Sequence, residues 1–171
     1  AQHMATDLEK APDALQQLVA ETDTGGRKPS GFGAGVIFSL ALAWAVFQYW
    51  YASPLPFALG FGILNDTEAR AIHLGFSMAL AFLAWPAFRS SSRRKIPALD
   101  WVLAIVGAFA GAYIMLFYRE LATRPGQPIT PGIVVAVIGL VLLLEATRRA
   151  VGWPMAALAV IFLAYCMGGP Y

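Results

Sequence analysis

Three charged residues stand at the end of a long apolar run in this sequence: Glu145, Arg148 and Arg149. On a helix, residues three and four apart share a face, so the glutamate would pair with both arginines and lose less free energy on leaving water. Such a group can anchor a helix end, dock another helix or a lipid headgroup, or bind a substrate carboxylate. The first two interpretations are favoured, and the predicted docking contacts are Glu145, Arg148, Arg149 and Trp153.

Histidine, the other residue type with evident chemistry, occurs only at His3 and His73. Two positions do not suffice for a bis-histidine haem or a histidine-rich metal site within this chain. His73 lies near Glu68 and Arg70 at the start of an apolar segment, where a packed or interfacial polar contact is expected rather than a ligand or proton relay. The sequence therefore predicts no catalytic, cofactor-binding or metal-binding residue, and we expect a protein that is not an enzyme.

Small residues and the single cysteine have simpler interpretations. Gly107 and Gly111 form the sequence GAFAG, whose spacing lets two helices pack closely, most simply inside the fold. Cys166 has no second cysteine to pair with and is predicted to be a small apolar residue within a helix. No acidic residue falls in the middle of an apolar segment, so the sequence lacks the usual mark of an ion or proton pathway.

The composition indicates what must position these residues. Hydrophobic residues make up 58% of the chain, charged residues 13%, and the mean hydropathy is +0.62. A soluble domain of 171 residues does not hide so much apolar surface in one core, so much of the chain must face lipid. The net charge of +2 is small, and the basic residues cluster in short loops, which is typical of membrane topology rather than nucleic-acid binding.

Five apolar segments approach the roughly 20 residues that a helix needs to cross a bilayer core of about 30 Å. They are residues 31–51, 71–88, 101–118, 131–146 and 153–171. Residues 57–64 are too short to span and are expected to be re-entrant or interfacial, while NDTEAR, residues 65–70, supplies capping groups for the second helix. Pro131 suits a first turn, and Gly152 and Pro154 suit a restart of the last helix. The predicted class is an all-α integral membrane protein with four to five transmembrane helices.

The positions of lysine and arginine predict the orientation, because cytoplasmic loops carry the excess. A cytoplasmic N-terminus places these basic residues inside: Lys10, Arg27, Lys28, Arg89, Arg93, Arg94, Lys95, Arg148 and Arg149. It leaves only Arg70, Arg119 and Arg124 outside. The chain then divides into a cytoplasmic tail and linker (1–30), a four-helix membrane domain (31–150) and a fifth apolar helix or connecting segment (151–171). Residues 11–21 fit either a short helix or a frayed tail, and TGGRKPSG, residues 24–31, fits a flexible linker.

Two stretches resemble a known family: LLLEATRRAVGWPMAALAVIFLAYCMGGPY, and AIHLGFSMALAFLAWPAF followed by a basic loop and IPALDW. Both are similar to the N-terminal membrane region of fused permeases of tripartite ATP-independent periplasmic (TRAP) transporters of the TAXI type. The resemblance covers residues 67–171 and, more loosely, the first apolar segment. One segment of this sequence matches the family residue by residue, and the resemblance assigns no role to the residues in it. They are Glu145, Thr147, Arg148, Arg149, Gly152 and Trp153.

The resemblance implies a small membrane subunit that scaffolds a large multi-span permease in the inner membrane of a bacterium. In such systems an ion gradient, usually of sodium, drives uptake of organic acids that a periplasmic substrate-binding protein delivers. The expected partners are therefore the large permease, the binding protein and membrane lipids, with no nucleic acid. No cofactor is expected in this chain, because the Na⁺ and substrate sites of the family lie in the large domain.

Several alternatives stay open. The chain is either a separately encoded small subunit or a fragment of a fused permease, and its fifth segment either spans the bilayer or lies along it as a connecting arm. The nearest other function is that of the small membrane subunit of a tripartite tricarboxylate transporter. A membrane anchor subunit of a redox enzyme and an autonomous oligomeric channel belong to other classes. Loops 53–70 and 119–130 are the candidate periplasmic docking sites.

Overall fold

Helices account for every regular element in a computed structural model of the chain, which describes residues 25–88, 91 and 93–169. In chain order they are α1 (Phe32–Ala52), α2 (Leu55–Leu59), α3 (Asp66–Ala84), α4 (Ala98–Leu116), α5 (Tyr118–Ala122), α6 (Thr130–Ala150) and α7 (Trp153–Gly168). Among these described helices, α1, α4 and α6 are long and apolar enough to cross a bilayer, and α7 is a shorter apolar helix. The predicted all-α class is confirmed; the possible helix at 11–21 lies outside the described residues.

The four longest helices alternate in direction. Phe32 at the start of α1 lies beside Trp101 near the start of α4, with ring centroids 6.0 Å apart. Arg27, shortly before α1, bonds to carbonyl oxygens at the end of α3, and Arg149 near the end of α6 bonds to Asp100 in the first turn of α4. The starts of α1 and α4 therefore meet the ends of α3 and α6, and these helices form an up-down-up-down bundle.

The limits of α3 differ from the predicted 71–88. The helix begins directly after Asn65, because Glu68 N donates to Asn65 Oδ1 at 2.9 Å and Asn65 N donates to Glu68 Oε2 at 3.0 Å. This capping box confirms the role predicted for residues 65–70. The helix ends at Ala84, since Trp85 precedes a proline and such a residue is driven into extended backbone.

The centre of the bundle is a close crossing of α3 and α4. A Cβ atom at Gly111 would lie only 2.6 Å from the main-chain nitrogen of Gly75. Gly107, one turn away, lies against Met78 and Phe82, which are both fully buried. The predicted close packing at Gly107 and Gly111 is confirmed, and Gly111 must lack a side chain because the neighbouring atoms are backbone.

The remaining long helices surround this pair. α1 packs against α3, and α6 packs against both α3 and α4. α6 continues to Ala150, past the predicted end at 146, so the two arginines lie within its last turns. Thr147 O accepts bonds from Val151 N at 2.9 Å and Gly152 N at 3.2 Å. Gly152 then adopts φ +112°, a conformation that residues with a side chain rarely adopt, and Pro154 lies in the first turn of α7, so the predicted restart is confirmed.

Candidate functional site

Side chains from three separate parts of the chain meet where α4 begins and α6 ends. Five ionised groups take part, and we refer to them as the ion network: Arg27, Asp100, Glu145, Arg148 and Arg149. The helices α4 and α6 supply four of them, and the segment before α1 supplies the fifth. The network therefore joins positions far apart in the sequence, since Arg27 and Asp100 are 73 positions apart.

Asp100 is the centre of the ion network and is 3% exposed. Arg149 Nη1 donates to its Oδ1 at 2.8 Å, and Arg27 Nη2 donates to its Oδ2. Asp100 lies in the first turn of α4, where the unpaired N–H groups of a helix start favour a negative charge. Two arginines and a helix start thus compensate a carboxylate whose burial would otherwise be costly.

Arg27 binds the end of α3 as well as Asp100. Its side chain is fully buried, and Nη1 donates to Phe82 O and Leu83 O at 3.2 Å each. The last carbonyl groups of a helix have no partner within the helix, so this arginine satisfies two of them. The main chain follows the same path, with Arg27 N donating to Ala84 O at 2.7 Å. The interpretation of TGGRKPSG as a flexible linker is therefore wrong at Arg27, because long-range bonds fix that residue to the bundle.

Glu145 joins the two arginines of α6, as its spacing predicts. Arg148 donates from Nε to Oε2 and from Nη2 to Oε1, at 2.7 Å each, and Arg149 Nε donates to Oε1, also at 2.7 Å. Since Arg149 also bonds to Asp100, it connects this local cluster to the contact between α4 and α6. The predicted ion pairs are confirmed, and they form part of a larger structure.

Arg148 contacts the loop after α3 and the start of α7. Its Nη2 donates to Ala87 O at 2.9 Å. Its guanidinium carbon lies 5.8 Å from the ring of Phe88 and 5.3 Å from the ring of Trp153, close enough for cation–π attraction. The four predicted docking residues thus hold parts of this chain together, and a contact with another chain or a lipid headgroup stays a prediction.

The arrangement of the ion network suits mechanical stability rather than chemistry. Both carboxylates accept bonds from two arginines each, and the guanidinium of Arg149 also stacks 5.0 Å from the Phe82 ring. The oxygens of both carboxylates are thus occupied by bonds within the chain. Separating α4 from the segment before α1 would leave Arg27 and its charge unpaired in a buried position, so we expect the network to hold its helices in one relative position.

His73 lies at the other end of the bundle, on the exposed surface of α3. Trp44 Nε1 of α1 donates to His73 Nδ1 at 3.3 Å, the two rings meet edge to face at 4.8 Å, and Gln48 contacts the same nitrogen. Glu68 and Arg70, its neighbours in sequence, are instead engaged in the capping box and in a pair with Asp66. The polar contact of His73 is therefore with α1.

Sequence reasoning missed two members of the ion network, Arg27 and Asp100. Neither belongs to a local pattern, because their partners lie 49 to 73 residues away. One signal was present: the positive-inside assignment places Arg27, Arg149 and the start of the third apolar segment on the same side of the membrane. A lone aspartate at that point needs a basic partner from the same side.

Comparison of the chain with protein-family models, curated proteins and solved structures found no match. Within the described residues, no group of three or more histidine, cysteine, aspartate or glutamate side chains is placed to hold a metal ion. Cys166 is exposed on α7, inside a helix as predicted. A function for the chain therefore has to be argued from its residues and their geometry.

Proposed function

We propose that the chain is the small scaffold subunit, or small-subunit region, of a TRAP-type secondary transporter. In this proposal it spans the inner membrane of a bacterium with four or five helices and a cytoplasmic N-terminus. A large multi-span permease then holds the sodium and substrate sites, and a periplasmic binding protein delivers the organic acid. The chain itself binds neither sodium nor the organic acid, and it supports the large permease.

The observation that carries the proposal is the ion network, because three of its five members, Glu145, Arg148 and Arg149, lie in the matched segment that resembles the family. Trp153, in the same segment, lies against Arg148. Thr147 and Gly152 shape the corner between α6 and α7. A scaffold requires a rigid bundle and a rigid corner between α6 and α7. A permease domain that moves during transport needs a support that stays in place.

The alternation of helix direction supports the membrane topology in this proposal. In the proposal the bundle crosses the bilayer four times, with both of its chain ends on one side. The fourth crossing is α3, which is not among the three helices that are apolar enough by themselves but packs against all of them. The ion network then lies at the cytoplasmic end together with the basic residues 93–95, in agreement with the positive-inside rule. Helix α7 is the candidate fifth crossing, and its 16 residues make it a short one.

The apolar surfaces of the bundle support a partner within the membrane. No residue of α1 is fully buried, and Phe38, Leu42 and Val46 on that helix are 53% to 68% exposed. Lipid or another membrane protein must cover such a surface, because its exposure to water would be unfavourable. The proposal assigns part of it to the large permease.

A pull-down of the tagged full chain from its native membrane tests the proposal. We expect mass spectrometry to identify a multi-span permease that is recovered in equal stoichiometry with the chain. The control is an unrelated multi-pass membrane protein with the same tag, extracted in the same detergent, and it should not recover the permease. Vesicles that hold the permease, supplied with the binding protein and a sodium gradient, should take up organic acid only when the chain is also present. Recovery of the chain as an oligomer without a permease, or uptake by the purified chain alone, would overturn the proposal.

A further inference from the structure

Four basic side chains are exposed on the described part of the cytoplasmic end, as assigned above. Lys28, Arg93, Arg94 and Lys95 are all exposed there, and we call these four residues the basic rim. The main chain holds its two parts together, because Lys28 N donates to Arg93 O at 3.0 Å. The segment before α1 and the loop between α3 and α4 therefore present their cations on one surface.

Acidic residues of the described structure at this end are engaged in the ion network. Asp100 is bonded to Arg27 and Arg149, and Glu145 to Arg148 and Arg149. Three arginines against two carboxylates leave that network itself with a positive charge. This surplus positive charge lies beside the exposed side chains of the rim, and such a surface attracts an anionic partner.

Two exposed aromatic rings mark the depth at which that partner would lie. Phe88 is 68% and Trp153 is 69% exposed, and the guanidinium of Arg148 lies between their rings. Phe88 also begins the turn into the basic loop, since Ser91 N donates to Phe88 O at 3.0 Å. Aromatic rings with adjacent basic residues are typical of the boundary between headgroups and acyl chains.

We propose that the basic rim binds anionic phospholipid, with the headgroup phosphates on Lys28, Arg93, Arg94 and Lys95 and the acyl chains beside Phe88 and Trp153. This inference rests on the membrane placement in the proposed function. The bound lipid would hold the loop between α3 and α4 against the membrane surface, next to the ion network. A lipid partner fits better than a soluble anion because the rim adjoins exposed apolar rings.

The test uses the purified full chain. Native mass spectrometry measures binding of phosphatidylglycerol and, as the neutral reference, phosphatidylcholine. The rim variant is Arg93→Gln, Arg94→Gln and Lys95→Gln together. The matched control is Arg70→Gln, Arg119→Gln and Arg124→Gln, which removes the same charge from the opposite end.

We expect the chain to prefer phosphatidylglycerol and the rim variant to lose roughly a hundredfold in affinity, since each basic residue near an anionic surface contributes a factor of about five. The control variant should bind as the unaltered chain does. Equal binding of both lipids by the unaltered chain, or an equal loss in both variants, would overturn the proposal. So would release of the lipid by inorganic phosphate but not by sodium chloride of the same ionic strength.

Membrane placement is checked separately. The chain should remain in the membrane after an alkaline carbonate wash and dissolve only in detergent. A chain that resists the wash and shows no lipid preference contradicts the rim proposal alone. A chain that the wash releases contradicts the proposed function as well.

Discussion

The two ends of the bundle use polar residues in opposite ways. At the end that carries the ion network, buried side chains bond across helices, as between Arg149 and Asp100. At the other end the ion pairs are local and exposed, between Asp66 and Arg70 and between Glu120 and Arg124, four residues apart in each case. Charges at the first end therefore fix helices relative to one another, whereas charges at the second end pair only with near neighbours in sequence.

The helices also pack more closely at the end with the ion network than at the other end. An apolar cleft of about 750 Å³ separates α4 from α6 at the end away from the ion network, below the loop that includes Arg124 and Gln127. It extends past Gly111 to Leu143, whereas Asp100 and Arg149 join the same two helices directly at the other end. The bundle is thus closed at one end and open at the other, and substitutions at the closed end should have the larger effects.

The largest effect is expected for Asp100→Asn. The substitution keeps the shape but removes the negative charge between Arg27 and Arg149, which leaves the buried Arg27 without a counter-charge and Arg149 with Glu145 alone, and it should cost about 3–5 kcal/mol. Equilibrium unfolding in mixed micelles measures the loss. Asp66→Asn is the matched control at the open end, where the carboxylate and its partner Arg70 are 68% and 80% exposed, and it should cost less than about 1 kcal/mol. Equal losses for the two variants would contradict the distinction between the ends.

A second, smaller effect is expected at the crossing between the two ends. Gly111→Ala places a methyl group 2.6 Å from the nitrogen and 2.8 Å from the Cα of Gly75, so α3 and α4 must separate, at a cost of about 1–3 kcal/mol. Gly35→Ala is the control, because nothing lies within 4 Å of its Cβ position on α1. The same unfolding experiment measures both. If Gly111→Ala is as stable as Gly35→Ala, the close contact between Gly75 and Gly111 does not contribute to the stability of the bundle.

Much of this architecture follows from sequence, because its causes are local. The spacing of Glu145, Arg148 and Arg149 predicts their pairing, and Gly152 before Pro154 predicts the corner. These features depend on residues within four positions of one another, where helix geometry alone decides which side chains meet. The all-α class follows similarly from the long apolar segments.

The ion network could not be predicted in full, since two of its members act at long range. Arg27 appears in the sequence as one residue of a Gly- and Pro-containing linker, and its burial depends on the carbonyl groups that the end of α3 leaves unpaired. Asp100 appears in the sequence as an ordinary acidic residue near the start of a helix. Only the folded bundle brings them to the end of α6, so no local pattern records their contact.

A third prediction concerns the capping box at the open end. Asn65→Ala removes the side-chain acceptor for Glu68 N and should cost about 1 kcal/mol, as the loss of a helix cap usually does. Asn65→Asp keeps an acceptor in the same position and should retain most of the stability. Thermal unfolding followed by circular dichroism measures both. A loss from Asn65→Ala comparable to that of Asp100→Asn would mean that this end also holds helices together.

The smallest effect is expected for Arg124→Gln, and it gives the most sensitive test of the open end. Arg124 pairs with Glu120 on the surface, where the glutamate is 54% exposed, and such pairs contribute about 0.2–1 kcal/mol. Arg124 also lines the cleft between α4 and α6, so a structural role in closing that cleft would raise the cost well above this range. Unfolding of Arg124→Gln, Glu120→Gln and the double variant separates the two cases. If the ion pair alone matters, each single variant costs as much as the double; if Arg124 closes the cleft, its single variant costs more than Glu120→Gln, and the two ends are less different than their geometry indicates.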